Sequence, residues 1–437
     1  MDVVRTEVET SLIDMAANSS VEGPSWFKDL QAKARDEFQN LGLPHRRVEE
    51  WKYTDLKSAL KIVPAAATTS GDVSKAALDQ ALGEGLSSLD AHRLVLIDGK
   101  FDASLSGQDL PDGVSVQTLS DALATGEDWI NELGQIGEGE RDAVQAFNLA
   151  ALQGGMAVHV ADKCELEKPL FLIAVNSNEG TSAITSRLFF HIGQAAKVEL
   201  IEHHVALKAE ASTHANLVTE FKVANWADVR HVKLTEDTDQ SLHLANVMAN
   251  LGKESNYQFF QFTLNGGITR NQVYVRYDGD EAKADISGVA LLSQKSHADL
   301  TLVMDHAAEG CESRELFKTV LDHKARAVFQ GKVIVQPGAQ KTDGEMMSNA
   351  LLLSETAEFD SKPELEIYAD DVLCGHGATT GQIDEELLFY LKARGVPEAE
   401  ARALLIQAFV GEALELVENE TVRDLLIAHV VKWYSEH

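Results

Sequence analysis

The sequence predicts a mainly β protein, with a long strand-rich body between an N-terminal α/β region and a short helical tail. Three observations carry that reading. Strand-length segments follow one another across residues 156–380, separated by short polar or glycine-containing breaks. No long helical periodicity interrupts that stretch. Strong hairpin signals are scarce within it, only Asn265-Gly266-Gly267 and Asp278-Gly279-Asp280 standing out, which favours a β-solenoid over a large sandwich. No exact repeat accompanies the strands. The expected division is 1–155, 156–380 and 381–437.

Taken in order, Pro24 opens a helix that carries Phe27, Leu30, Ala34, Phe38 and Leu41 on one face and stops at Gly42. Pro64–Ser74, rich in Ala, Thr and Ser, reads as a connector. Leu94–Ile97, the Asp98-Gly99 turn and Phe101 predict a hairpin-like element. Ala143–Leu152 reads as a helix stopped by Gly154-Gly155. The body follows, with strands expected at Lys197–Val205, Asp228–Leu234, Tyr257–Leu264, Gln272–Tyr277, Asp299–Asp305 and Ala327–Gln336.

In the tail, Asp384 is an N-cap before Leu387, Leu388 and Leu391, and Gly395 is a C-terminal stop. Pro397 starts the next helix from a first-turn position. Its apolar stripe is read as Ala401, Leu404, Leu405, Ala408, Phe409, Ala413 and Leu416. A third helix carries Val422, Leu425, Leu426, Val430 and Trp433. These stripes bury against the β body or against a partner.

Composition narrows the function. Of 437 residues, 38 Lys+Arg stand against 69 Asp+Glu, a net charge of −31. That field repels phosphate backbones and anionic lipid, so neither nucleic acid nor membrane is an expected partner. It also fits poorly a β-helix enzyme acting on acidic polysaccharide, which needs a basic groove. No segment approaches the roughly 20 apolar residues of a membrane span. The beginning of the chain carries neither a secretory nor a transit signature, and the expected location is cytoplasmic. Cys164, Cys311 and Cys374 are three, widely spaced and without a Cys-x-x-Cys pair, which excludes a disulfide framework and argues against a closed zinc or four-cysteine site.

Eleven of the fifteen histidines lie between His159 and His376. His203 and His204 are adjacent, so on a strand they face opposite ways. Cys374-Gly375-His376-Gly377 is the sharpest chemical candidate: on a strand, Cys374 and His376 share a face about 7 Å apart. Thiolate and imidazole are ligands for iron, copper or zinc, yet two are too few, so a second chain would supply the rest. The alternative is a half-buried cysteine acting as a small hydrophobe beside a capping histidine. Asp305-His306, Cys311 and Ser313-Arg314 form a second polar group that imitates a Cys–His nucleophile pair without specifying one. Gly338–Gly344 lacks the order of a phosphate loop, so no nucleotide is expected on this chain.

Longer runs carry a resemblance. Met304-Asp305-His306 followed by Cys311-x-Ser313-Arg314-Glu315-Leu316-Phe317-Lys318, then Lys324–Val333, Gln340–Gly344 and Ala357–Gly381 with Lys362-Pro363-Glu364-Leu365-Glu366-Ile367 and Cys374-Gly375-His376-Gly377-Ala378-Thr379, are its main blocks. Leu388-Phe389-Tyr390-Leu391, Ala401–Phe409 and the N-terminal Arg47-Val48-Glu49-Glu50-Trp51-Lys52-Tyr53-Thr54 complete it. With these, the chain resembles the SufB/SufD family of the Suf system for iron–sulfur cluster assembly, and within it the SufD branch. SufB proteins carry Glu-His-Glu where this chain has Cys374-Gly375-His376, and a cysteine near Ser348-Asn349.

The resemblance implies a right-handed parallel β-helix core between an N-terminal α/β region and a C-terminal helical domain. It implies a non-catalytic scaffold subunit that pairs with a SufB-like paralogue through the β-helices, with a SufC-like ATPase on the C-terminal helices. A homodimer of this chain alone is the alternative to that heterodimer. His376 matches the family histidine at the cluster-building interface, and Cys374 stands beside it as an auxiliary ligand or packing residue. The cofactor so implied is a transient iron–sulfur cluster or iron shared with SufB.

Overall fold

The computed structural model describes residues 5–436 apart from 18, 20, 69–72, 108, 138–141, 179 and 209–211. The middle of the expected connector Pro64–Ser74 therefore lies outside the described residues. The body is a β-solenoid of about eight turns, built from a ten-stranded and a nine-stranded sheet. Successive strands alternate between the sheets, and each pairs in parallel with the strand one turn on. In the ten-stranded sheet the last six strands begin at Asp228, Asn256, Lys283, Glu312, Asp343 and Leu373. The repeat is thus one of register, carried without sequence identity.

The corners explain how that happens. Lys163, Ala195, Trp226, Glu254, Glu281, Gly310 and Lys341 occupy the same corner of successive turns, all with positive φ. Each donates its backbone N–H to the turn above: Trp226 to Lys253 at 2.9 Å, Glu254 to Asp280 at 2.9 Å and Gly310 to Gln340 at 2.8 Å. A left-handed L-residue costs roughly 1–2 kcal/mol, and the stacked bond offsets it. Only one of the seven is glycine, so glycine-based turn reading passes over this corner. Gly310 has φ +71°, and an added Cβ would meet Glu281 Cγ at 3.4 Å, ordinary contact. Gly310→Ala is accordingly expected to cost only about 1 kcal/mol, seen as a lower urea midpoint at unchanged m.

The hairpin expectation is met at His92–Ile97 and Lys100–Phe101, which pair antiparallel. The two other hairpin signals are corrected: Asn265-Gly266-Gly267 and Asp278-Gly279-Asp280 are corners between strands of different sheets. The Ala143–Ala150 helix ends before Gly154-Gly155, which opens a strand instead. Gly155 is needed there because a Cβ would lie 1.9 Å from the Arg187 carbonyl oxygen.

Three large apolar cores and a small fourth one, around Leu292 and Leu321, hold the molecule. The lumen is filled by residues such as Leu96, Val158, Phe190, Phe221, Tyr257 and Val333. The N-terminal helices Glu7–Ala16, Ser25–Leu41 and Ala143–Ala150 cover the outside of the nine-stranded sheet. The helices Lys75–Ser87, Glu385–Ala393, Glu398–Leu414 and Glu420–Glu436 cover the outside of the other. Ser25–Leu41 and its stop at Gly42 match expectation, as do the Asp384 cap and Gly395, whose φ is +89°.

Two details of the tail differ. Pro397 is the N-cap of its helix, one residue before the first turn. The buried face of that helix is Ala401, Ile406, Val410, Ala413 and Leu414, while Leu404 and Leu416 are exposed. The face is rotated because the helix packs at once against the ten-stranded sheet and against both other helices of the tail. Among the described residues no helix is long and apolar enough to cross a membrane.

Candidate functional site at the open end of the solenoid

The last two strands, Glu358–Ile367 and Leu373–Gly381, are the free edges of the two sheets. Each has a neighbour on one side only, so the final turn leaves its lumen uncovered and most of its side chains exposed or half-buried. Leu373 is 72% exposed and Tyr368 60%.

Backbone parity decides what the two edges offer. Leu373 N–H donates inward to Thr342 at 2.8 Å. Alternation then turns the N–H and C=O groups of Cys374, His376, Ala378 and Thr380 to the open side. In the sister strand, Glu358 and Tyr368 donate inward, to Ala325 at 3.0 Å and Val335 at 2.9 Å. The outward positions there are Phe359, Ser361, Pro363, Leu365 and Ile367, and Pro363 has no N–H to offer. One edge is a continuous pairing template and the other is broken at its centre.

The register shows where the predicted ligands sit. Cys374 lies beside Gly344, which lies beside Ser313; His376 lies beside Met346, which lies beside Glu315. Cys374 and His376 therefore share the luminal face, as expected. Cys374 is half-buried against the luminal core and its thiol is pushed up by burial, whereas His376 is exposed. Cys374 thus packs at the rim of the luminal core, in the last turn of the solenoid. Gly344 keeps the space between them open, since a Cβ there would stand 3.2 Å from Ser313 Oγ and 3.7 Å from Cys374 Sγ.

Beneath them lies Glu315, which sequence reading did not single out as functional. It is 3% exposed, and neither carboxyl oxygen makes a hydrogen bond of normal geometry, although the Ser313 hydroxyl is near enough to act on its ionisation. Burial pushes its carboxyl up to about 8. Only the register reveals it, because its neighbours in sequence, Arg314 and Leu316, point outward.

The second polar group is taken apart by the fold. Asp305 faces away from the lumen, accepting from Gln336 Nε2 at 2.8 Å and pairing with Arg276. His306 lies in the lumen, stacked on Tyr277 at 4.1 Å between centroids. Cys311 is buried at a corner with its S–H toward the Gly279 carbonyl at 3.4 Å, and burial pushes its thiol up to about 11. Such a thiol is no nucleophile at neutral pH. In Gly338–Gly344, Lys341 pairs with Asp371 at a solenoid corner rather than facing a phosphate.

A buried ionic group near the other end was also missed. Glu202 Oε1 and Oε2 lie 2.5 Å from His204 Nε2 and 2.9 Å from His231 Nε2, with Lys233 Nζ at 3.7 Å. Burial raises the Glu202 carboxyl, but Lys233 and the two imidazoles outweigh it and hold it well below its usual range. His203, on the opposite face, is pushed down to about 3 by burial.

The Arg47–Thr54 run, conspicuous in the sequence, is a strap across the nine-stranded sheet. Arg270 stacks on Trp51 at 4.0 Å and donates to the Glu50 carbonyl at 2.8 Å. Gln330 reaches the same carbonyl at 3.0 Å, and Lys362 of the penultimate strand pairs with Glu49 at 2.7 Å. The strap ties the N-terminal region to the strand that edges the open end.

Comparison with known proteins places the chain among relatives of one family. A family described as SUF system FeS cluster assembly, SufBD core domain, matches residues 173–409, and the SufBD protein N-terminal region matches 16–172. An iron–sulfur cluster assembly SufBD family protein of Synechocystis is 31% identical over 433 residues, covering 95% of this chain and 93% of that one. The iron–sulfur cluster assembly protein SufD of Escherichia coli is 31% identical over 409 residues, 91% and 92% of the two chains. SufD of Bacillus subtilis is 24% identical over 415 residues, 93% of each.

Proposed function

The chain belongs to the SufBD family of the SUF system for iron–sulfur cluster assembly, and from that membership we propose that it is a non-catalytic scaffold subunit whose open solenoid end pairs with a SufB-like paralogue. The observation that carries this reading is the final turn itself. Two unpaired edge strands, an uncovered lumen and exposed Tyr368 and Leu373 make a surface that a second solenoid end completes. The continuous edge is the strand bearing Cys374 and His376, so pairing there draws both side chains into the seam.

At that seam His376 is the ligand for iron or a nascent cluster, which is the cargo of the complex, and Cys374 is auxiliary. Two donors from this chain leave the remaining coordination positions to the paralogue. The exposed Leu387, Phe389 and Tyr390 on the Glu385–Ala393 helix, and the exposed Leu404 of the next helix, form the surface for a SufC-like ATPase. Nucleotide binding and hydrolysis belong to that ATPase. Its contacts would shift the heterodimer between states that cover or expose the seam.

The test is co-expression with SufB and SufC, anaerobic purification and ultraviolet–visible spectroscopy. Retention of all three chains and a cluster spectrum are expected. In the same complex His376→Ala is expected to lower cluster yield at least tenfold while leaving assembly intact. Normal cluster transfer by that variant in an intact complex would remove His376 from the ligand set.

A further inference from the structure

Far from the open end, the lumen contains a chamber of about 60 Å³ beneath the corner before Ser241. His204 and His243 both line it, together with Glu202, Asp237, Thr213 and Thr219. Glu202 is hydrogen-bonded to one ring nitrogen of His204, and Asp237 stands close to one of His243 without a hydrogen bond of normal geometry. Glu202 Oε1 lies 2.5 Å from His204 Nε2, and Asp237 Oδ2 lies 2.9 Å from His243 Nδ1. That leaves one further ring nitrogen on each, Nδ1 of His204 and Nε2 of His243. His243 is 2% exposed, and its Nε2 is buried without a hydrogen-bond partner.

A buried imidazole nitrogen without a partner is costly and calls for an occupant. A carboxylate on the far nitrogen of a histidine is the usual outer support of a metal-bound imidazole, setting its tautomer and orientation. The separation of the rings agrees. Two imidazoles on one tetrahedral ion, with metal–nitrogen bonds of 2.0–2.1 Å, place their centroids about 5.2 Å apart. The centroids of His204 and His243 are 5.1 Å apart. The volume admits an ion with one or two waters, and threonine hydroxyls are at hand to hold them. Among the described residues no group of three or more His, Cys, Asp and Glu is placed to hold a metal ion, so here the protein supplies the two imidazoles and water the other positions.

We propose that His204 and His243 form a bis-histidine site for one divalent transition-metal ion of the Zn²⁺, Co²⁺ or Fe²⁺ class, oriented by Glu202 and Asp237. The site lies turns away from His376 and does not depend on the role proposed for the open end. Imidazole donors suit these ions, whereas Mg²⁺ and Ca²⁺ take oxygen ligands, so selectivity against the latter follows.

The experiment uses the full, untagged chain stripped with chelator. Co²⁺ titration followed by visible absorption, and Zn²⁺ equilibrium dialysis, are expected to show one equivalent bound that excess Mg²⁺ does not displace. His243→Gln is expected to weaken binding at least tenfold, and Asp237→Asn about tenfold. Zn²⁺ is also expected to raise the Tm of the wild-type chain, a reading that stands even if a variant fails to fold. The absence of a bound equivalent, or an equivalent that His243→Gln binds at wild-type affinity, would overturn the proposal.

Discussion

Glu220→Ala is expected to destabilise the chain by about 3–5 kcal/mol, the range for removing one partner of a buried ion pair. Glu220 is 0% exposed and pairs with Arg187, which is 3% exposed. The Glu220 carboxylate also accepts the Gly134 N–H at 2.8 Å, and Arg187 Nε donates to Asn148 Oδ1 at 3.1 Å. Asn148 in turn donates to the Ser186 and Asn216 carbonyls at 3.0 and 2.9 Å. One network thus joins the Ala143–Ala150 helix to two strands and to the loop at Gly134. Removing Glu220 takes the carboxylate partner from a buried guanidinium and an acceptor from that N–H. Denaturant unfolding at neutral pH measures the loss, and a change under about 1 kcal/mol would show that water reaches Arg187.

Glu315→Gln is expected to change the pH profile of stability rather than lower it. Burial raises the Glu315 carboxyl from 4.5 to about 8. Between those values the folded state keeps a proton that the unfolded chain has lost. Its contribution is therefore complete below the unfolded value and falls by about 1.4 kcal/mol per pH unit as pH rises, until the folded value is passed. The amide cannot ionise, so wild type and variant should unfold at similar temperatures near about pH 5 and diverge by about pH 8, the variant being the more stable. Parallel curves would mean that the carboxylate finds solvent through the open end.

Much of the architecture was readable because its period is local. Apolar alternation in segments such as Lys197–Val205 and Ala327–Gln336 needs only neighbouring residues, and those strands form within a few residues of expectation. The caps at Asp384 and Gly395 are equally local. The failures are also local signals, wrongly ranked. Asn265-Gly266-Gly267 has hairpin composition, yet it is a solenoid corner, and the same corner one and two turns on uses Gln294 and His323 at positive φ. The stacked hydrogen bonds that make those residues acceptable come from the next turn, some thirty positions away.

The candidate site divides in the same way. That Cys374 and His376 share a face follows from the two-residue period of a strand and was available from the chain alone, as was the family resemblance carried by the runs around them. That this face is luminal, that the turn bearing it is the last one, and that Glu315 lies two strands beneath were decided by cross-strand register. The pairing of His204 with His243 was decided likewise, by strands in opposite sheets meeting across a lumen. Periodicity along the chain assigns each side chain to one of two faces. Which strands stack, and which face closes on the interior, is settled only when non-local backbone groups pair and the apolar lumen is buried.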